Sequence, residues 1–269
     1  MEISISSWAY RSLFDTGQID LLSFVDEVKR LGADGLELFP EHLDEDDPGG
    51  SAQRVADKAE ALGLRISSII ARNDFARPTA RERSEHVAAV KEWIRRAASA
   101  GIRRLNTFTG HHTEGEDPAL EYYRVLDSYR EVMPLAEENN VLLCVENLAS
   151  VCRGADELMQ LIEAVGSDYL RTNPDLLNFA WEFARRGEPA PEHVYTDIAT
   201  VLPRASNLHL NTGVFTAEGE TAYLDMQRIA GMLRDACFDE HIVLETPADV
   251  DPVRACAGAL EMIRKYLVN

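Results

Sequence analysis

Four side chains in the second half of the chain have the types needed to bind a divalent cation. Glu146 ends the apolar run VLLCVE, Asp175 follows YLRTNP, His209 lies within NLHLN, and Glu245 ends HIVLE. Three carboxylates and one imidazole form a donor set that suits Mn²⁺, Mg²⁺, Co²⁺ or Zn²⁺. Because a buried, unpaired carboxylate is very costly, an apolar run can end on Glu146 if a cation lies beside it.

Short β-rich runs alternate with amphipathic segments along the whole chain. We predict eight strands, at Ile3–Trp8, Gly35–Phe39, Arg65–Ala71, Arg104–Thr109, Val141–Glu146, Tyr169–Asn173, Asn207–Asn211 and His241–Glu245. We predict helices near Ile19–Leu31, Ser51–Leu62, Thr79–Ala100, Pro118–Glu138, Ala155–Val165, Pro191–Leu202, Thr221–Ala236 and Pro252–Leu267. Pro134 predicts a kink or break in the fourth helix.

This alternation predicts right-handed βαβ units and a parallel sheet, that is, the α/β class. Eight units in one chain without a linker predict a single (β/α)₈ TIM barrel over residues 1–269. A doubly wound open sheet is the alternative. It would carry a glycine fingerprint after the first strand, and SSWAYRSLFDTG has none.

The four candidate ligands follow four successive predicted strands. The carboxyl ends of barrel strands meet at one rim, where active sites are built, so we expect these side chains to lie together. Each one also has an ordinary interpretation, which for Glu146 is a surface position. Asp175 and Glu245 could cap the helices that follow them, and His209, between two leucines, could be a hydrogen-bonded core residue. Their occurrence on consecutive strands favours the metal site.

Five further polar or aromatic residues near strand ends are candidates for substrate binding: Trp8, Glu37, Asn147, Asn178 and His111. Trp8 could form an apolar wall against a sugar face, and Glu37 could bind a substrate hydroxyl. Asn147 could orient the adjacent Glu146. The ordinary alternatives are core packing for Trp8, an ion pair for Glu37, a helix cap for Asn147 and a solvated loop position for His111.

The charge balance limits the partners. The chain has 46 acidic and 27 basic residues, a net charge of −19. Such a surface repels phosphate backbones and anionic lipids, so we expect neither nucleic acid nor membrane as a partner. A small sugar-like molecule is the expected partner, and a homo-oligomer is compatible with the sequence.

The cysteines and the first residues indicate a reducing compartment. None of the four cysteines forms a C-x-x-C pair, which predicts reduced thiols. The opening MEISISSWAY lacks the basic and apolar regions of a signal peptide, and no apolar run approaches the ~20 residues of a membrane span. We therefore expect a cytoplasmic protein.

The chain resembles a known superfamily, the xylose isomerase-like TIM barrels. This superfamily includes sugar isomerases, sugar epimerases and endonuclease IV. The matching segments are ADGLEL, VLLCVEN, NLHL and DEHIVLET. The resemblance implies one divalent ion, Mn²⁺ before Mg²⁺, Co²⁺ or Zn²⁺, bound by Glu146, Asp175, His209 and Glu245. It also implies that Glu146 and Glu245 are the catalytic pair that moves a proton next to a substrate carbonyl.

The chain departs from the ketose 3-epimerases of that superfamily at their substrate contacts. Asn178 stands where those enzymes have a histidine, Cys152 where they have a glutamate, and Phe215 where they have an arginine. Strand seven reads HLNT where many relatives read H-x-K-D. The metal site is thus predicted to be intact, while a simple free ketose is not the expected substrate.

We therefore expect a metal-dependent isomerase or epimerase of a modified sugar or polyol-derived ketone. A metal-dependent dehydratase of a keto-polyol, similar to inosose dehydratase, shares the first chemical step. A non-catalytic barrel that binds a sugar-like ligand is the alternative outside enzymes. The net charge of −19 argues against a DNA repair role like that of endonuclease IV.

Overall fold

Eight parallel strands form the framework of the chain, and the computed structural model describes residues 1–148, 151–211, 221–247 and 250–267. The strands are β1 Glu2–Ser6, β2 Gly35–Leu38, β3 Arg65–Ile70, β4 Arg104–Phe108, β5 Leu142–Glu146, β6 Leu170–Asn173, β7 Asn207–Asn211 and β8 His241–Glu245. They lie in the order β6-β5-β4-β3-β2-β1-β8-β7.

The two end strands of this order, β6 and β7, meet and close the sheet. Parallel bridges join Thr172 to Ala205 and Asp175 to His209. The backbone N–H of His209 donates to the carbonyl oxygen of Pro174 at 3.0 Å. The predicted (β/α)₈ barrel is therefore confirmed, and two of the candidate ligands lie at its closing seam.

Helices surround the barrel. They are α1 Arg11–Asp15, α2 Leu21–Leu31, α3 Pro48–Ala61, α4 Ala80–Ser99, α5 Pro118–Glu138, α6 Ala155–Val165, α7 Leu176–Ala184, α8 Glu192–Val201, α9 Met226–Asp235 and α10 Pro252–Leu267. The side chains of Asp20, Thr79 and Asp117 accept hydrogen bonds from backbone N–H groups at the starts of α2, α4 and α5. Across the described ranges, no helix is long and apolar enough to cross a bilayer.

The prediction was wrong at several boundaries. It missed α1 and also α7, which starts directly after the β6 segment because Asp175 caps it without a linker. The strand predicted over Ile3–Trp8 ends at Ser6, and Trp8 lies in a 3₁₀ turn. Helix α5 runs through Pro134 without a break, since buried neighbours such as Val132 and Ala136 hold its last turns against the sheet.

The apolar core lies between the strands and the helices. Phe24, Val28, Ile94, Val132 and Leu161 are completely buried there on four different helices. Burying one such side chain contributes about 1.5–3 kcal/mol. This layer fixes the strand ends that carry the polar residues described below.

Gly35 on β2 gives a test of this close packing. A Cβ there would lie 2.4 Å from the backbone oxygen of Arg65 and 2.7 Å from Ser4 Oγ. We expect Gly35→Ala to lower the free energy of unfolding by about 1–3 kcal/mol, because the added methyl overpacks β2 against β3. The measurement is urea denaturation.

The matched control is Gly231→Ala on α9, where a Cβ would meet nothing within 4 Å. It should leave the free energy of unfolding unchanged or raise it by up to ~1 kcal/mol, since alanine favours helix. Equal effects of the two substitutions would contradict the close contact between β2 and β3.

Candidate metal centre

Five ionisable side chains meet at the carboxyl ends of the strands, and we call them the carboxylate–histidine cluster: Glu37, Glu146, Asp175, His209 and Glu245. None is more than 7% exposed. Candidate ligand atoms of Glu146, Asp175 and His209 lie within 4.8 Å of one another, and so do those of Glu37, His209 and Glu245. The structure thus brings together all four sequence-predicted ligands and adds Glu37.

His209 is the hub of the cluster. Its Nδ1 lies 3.4 Å from Glu146 Oε2 and 3.7 Å from Glu245 Oε1. Within the described part of the chain this buried nitrogen has no hydrogen-bond partner. Its other nitrogen, Nε2, lies 3.0 Å from Glu37 Oε2. The imidazole is therefore held from one side and presents Nδ1 to the other carboxylates.

Glu37 lies behind the imidazole and is fully buried. Its Oε2 also accepts a hydrogen bond from Ser68 Oγ at 2.5 Å, and Ser68 Oγ accepts one from Asn207 Nδ2 at 3.0 Å. We expected Glu37 to bind a substrate hydroxyl. Its burial and its contact with Nε2 instead favour a role in orienting His209, as carboxylates do behind metal-binding histidines.

Asp175 is both a candidate metal ligand and the N-cap of α7. Its Oδ1 caps α7 by accepting from the backbone N–H groups of Leu177 and Asn178 at 2.7 and 3.1 Å. Asn147 in turn pairs with the backbone of Asp175, accepting from its N–H at 2.7 Å and donating to its carbonyl oxygen at 3.1 Å. Asn147, expected to contact substrate or orient Glu146, is completely buried and positions Asp175.

Glu146 is held by two amides. Asn106 on β4 donates from Nδ2 to Glu146 Oε2 at 2.8 Å. Asn178 donates from Nδ2 to Glu146 Oε1 at 3.4 Å. Asn178, a predicted substrate-binding residue, therefore lies against a candidate ligand at the edge of the cluster, where it can also reach a bound molecule.

Burial and mutual repulsion shift the ionisation of the cluster. Burial, opposed by His209 and reinforced by Asp175 and Glu37, raises the pKa of Glu146 to about 7. Burial, opposed by His209 and reinforced by Glu146, Asp175 and Glu37, raises the pKa of Glu245 to about 8, and burial also raises the pKa of Asp175. Burial alone would lower the pKa of His209, but Glu37, Glu146 and Glu245 together raise it well above its usual value.

The residues fit a divalent cation. Oxygen and imidazole donors of this number suit Mn²⁺, Mg²⁺, Co²⁺ or Zn²⁺. The buried Nδ1 of His209, which faces two carboxylates without a hydrogen-bond partner in the described chain, is the feature that a ligated cation would explain. A cation would also offset the repulsion that raises the carboxylate pKa values.

An apolar wall lies at the ends of the first four strands. The rings of Trp8 and Phe39 stack with centroids 4.9 Å apart, and Phe39 packs in one cluster with Ile70 and Phe108. Phe108 is next to Glu146 in the register of β4 and β5. Trp8 is half-buried, so an apolar sugar face could contact it, and its role in substrate binding stays a prediction.

The other residues considered in the sequence analysis lie at the rim, in the core or outside the described residues. His111 is exposed and lines a cavity of about 210 Å³ with Phe108 and Leu148. The neighbouring His112 pairs instead with Glu121. Cys152 is buried in the apolar core. Phe215 and the threonine of HLNT lie outside the described residues.

Sequence reasoning missed three residues that support the cluster, Asn106, Ser68 and Asn207. Each lies within a buried strand and reaches a neighbouring polar side chain. The available signal was a polar residue in the middle of an otherwise buried strand, as in RLNTF and RISSII, because such a residue needs a partner.

Comparisons with known proteins agree with this architecture. The sequence model of the xylose isomerase-like TIM barrel family matches residues 25–266. A search of curated proteins found no significant match.

Three similar solved structures are sugar epimerases. D-psicose 3-epimerase in the presence of D-fructose is 15% identical, with a TM-score of 0.79 and 100% of both chains covered. D-psicose 3-epimerase with D-tagatose from Clostridium cellulolyticum H10 is 16% identical, with a TM-score of 0.78 and 99% of both chains covered. The 3-keto-D-glucoside 4-epimerase from E. coli is 14% identical, with a TM-score of 0.78 and 98% of this chain and 99% of that chain covered. At these identities the likeness shows the fold.

The contact between Glu37 and His209 predicts a loss of metal affinity in Glu37→Gln. Replacing a carboxylate behind a metal-binding histidine costs about 10–100-fold in affinity. The measurement is calorimetric titration of metal-free protein with MnCl₂. Glu240→Gln is the matched control, because Glu240 pairs with Arg104 at the start of β8, at the opposite end of the barrel. Equal affinity in Glu37→Gln and wild type would refute this role.

The raised carboxylate pKa values predict that metal affinity depends on pH. Ligation needs ionised carboxylates, and Glu146 and Glu245 hold protons up to about pH 7 and 8 in the metal-free protein. Protons therefore compete at low pH. The Kd for Mn²⁺ should fall as the pH rises from about 6 to about 8 and should continue to fall above pH 8, because His209, whose pKa is raised well above its usual value, must also lose a proton to bind the ion. A Kd that stays constant over this range would show that these carboxylates are not displaced from their protons by the metal.

Proposed function

The chain belongs to the xylose isomerase-like TIM barrel family, and we propose that it is a divalent-metal-dependent isomerase or epimerase. Its substrate would be a modified sugar or polyol-derived ketone. The reaction would be transfer of a proton at the carbon next to a carbonyl group. Glu146, Asp175, His209 and Glu245 would hold the ion.

The observation that carries this proposal is the pair Glu146 and Glu245. The two carboxylates approach the same nitrogen, His209 Nδ1, at 3.4 and 3.7 Å. They come from β5 and β8, three strands apart around the closed barrel, so they approach from different directions. Both are at least nine-tenths buried, and this burial raises their pKa values to about 7 and about 8, close to the pH at which a general base or acid works best.

The ion would polarise the substrate carbonyl, and the two glutamates would transfer the proton. A bound divalent cation would supply a Lewis acid that withdraws electrons from the substrate carbonyl and so acidifies the adjacent C–H bond. One glutamate takes the proton as that C–H bond breaks. The other glutamate, protonated, gives a proton back. Return to the opposite face of the same carbon gives the epimer. Return to the former carbonyl carbon gives the isomer, provided that the adjacent hydroxyl passes its proton to the former carbonyl oxygen.

The supporting side chains hold these groups in place. Asn106 and Asn178 fix the orientation of Glu146 through its two oxygens. Asn147 fixes the backbone of Asp175. The stacked rings of Trp8 and Phe39 offer an apolar face for the C–H side of a sugar. The similar structures named as epimerases of D-psicose and of a 3-keto-glucoside support a carbonyl-bearing sugar as the substrate class.

A substitution at Glu245 tests the proton transfer. We expect Glu245→Gln, assayed at saturating Mn²⁺, to keep the fold and to lower turnover by at least ~100-fold, because the amide cannot act as a base. Solvent deuterium incorporation next to the carbonyl, followed by NMR, is the measurement. Glu261→Gln on the exposed side of α10 is the control and should keep full turnover.

The outcomes separate the alternatives. Deuterium incorporation with retention of all substrate oxygens supports isomerisation or epimerisation. Loss of water with formation of a C=C bond identifies a dehydratase. Binding of ketoses to the metal-loaded protein without exchange or turnover would leave a non-catalytic binding barrel. Full turnover in Glu245→Gln would show that this carboxylate is not the base.

A further inference from the structure

A small cavity at the rim of the barrel has an unusual lining. Its volume is about 210 Å³, and its wall includes Arg72, Arg77, His86, His111, Phe108 and Leu148. Ligand pockets usually measure about 300–1,000 Å³. A space of this size suits one end group of a ligand whose remainder lies elsewhere.

The cavity adjoins the candidate metal centre. Phe108 lies beside Glu146 in the β4–β5 register, about 5 Å away as neighbouring strands are. Leu148 follows Glu146 by two residues. A molecule held at the carboxylate–histidine cluster can therefore extend over Phe108 into the cavity.

Two arginines line the cavity, although the whole chain carries a net charge of −19. Asp74 is the one lining carboxylate among the described residues, and Glu41 pairs with Arg72. Each guanidinium is thus paired with one carboxylate and has further N–H donors that can bind an anion.

Arg72 is held at the cavity in a strained conformation. Its backbone φ is 49°, in the left-handed region, which costs a non-glycine residue about 1–3 kcal/mol. The guanidinium carbon lies 5.0 Å from the ring centre of Trp8 and 5.1 Å from that of Phe39. Arg72 Nε pairs with Glu41 at 2.6 Å. The strain and these contacts place the cation beside the apolar wall.

Arg77 is held from behind by a buried carboxylate. Its Nε lies 3.1 Å from Asp74 Oδ2, and Asp74 Oδ1 accepts from the backbone N–H of Ala76 at 3.1 Å. Gly110 makes room for this arrangement, since a Cβ there would lie 2.0 Å from Asp74 Oδ1. A guanidinium has five N–H donors, so one ion pair through Nε leaves capacity for a second anion.

We infer that the substrate is a ketose or polyol-derived ketone with a terminal anionic group, a carboxylate or a phosphate, which binds in this cavity. Arg72 and Arg77 are then the residues that determine specificity, because guanidinium groups bind these anions through paired hydrogen bonds. This inference rests on the proposed function and names its substrate class.

Calorimetric binding of three ketoses to the Mn²⁺-loaded protein tests the inference: D-fructose, D-fructose 6-phosphate and D-fructuronate. At least one acidic ketose should bind 10-fold or more tightly than D-fructose. Arg72→Gln and Arg77→Gln should each remove most of that advantage, a loss of about 10-fold, as expected for hydrogen bonds to a charged group. Tighter binding of only one acidic ketose identifies its end group as the recognised one.

Arg95→Gln is the matched control, because Arg95 lies in the last turns of α4, far from the rim, and makes an exposed ion pair with Glu92. It should leave the advantage unchanged. Three results would overturn the inference: equal affinity for all three ketoses, no binding of either acidic ketose, or an advantage that persists in both rim variants. Persistence would mean that the anion binds Mn²⁺ directly. Failure of the proposed function is separate, since it would appear as absence of deuterium exchange with every ketose that binds.

Discussion

The structure depends on the burial of four carboxylates around one imidazole. Glu37, Glu146, Asp175 and Glu245 surround His209, and all are at least nine-tenths buried. One imidazolium cannot balance four carboxylates, so the metal-free cluster keeps protons, as the raised pKa values of Glu146 and Glu245 show. A divalent cation supplies the missing positive charge. The amides around the cluster then serve to fix its geometry.

The two halves of the barrel carry different parts of the site. Strands β5 to β8 carry the proposed ligands, and the seam between β6 and β7 is closed by a bridge from Asp175 to His209. Closure of the barrel and assembly of the site are therefore one structural event. The apolar wall lies at the ends of the first four strands, and the small cavity with Arg72 and Arg77 in its lining lies next to it. A ligand across the mouth would meet the polar half with its carbonyl and the other half with its carbon chain.

Much of this could be predicted from the sequence, because strand ends in a parallel barrel converge. Glu146 and Glu245 each follow an apolar run, so their position at the rim followed from the alternation of strands and helices. The partner of Glu37 could not be predicted, since His209 is far away in sequence and only the closed barrel brings the two side chains together. The role of Asn147 was missed for the same reason, because its partner is the backbone of the next strand. Helix α7 was missed although Asp175 was considered as a possible helix cap, because LLNFAWEFA is apolar at seven of its nine positions and shows no clear polar face.

An anomalous difference map from a crystal of the protein grown with Mn²⁺ tests most directly whether the cluster binds a cation. We expect one peak, with oxygens of Glu146, Asp175 and Glu245 and Nδ1 of His209 at roughly 2.0–2.3 Å from it, while Glu37 remains hydrogen-bonded to Nε2. A map with no peak among these side chains, or a peak on the Nε2 side of His209 next to Glu37, would show that these four residues are not the ligands.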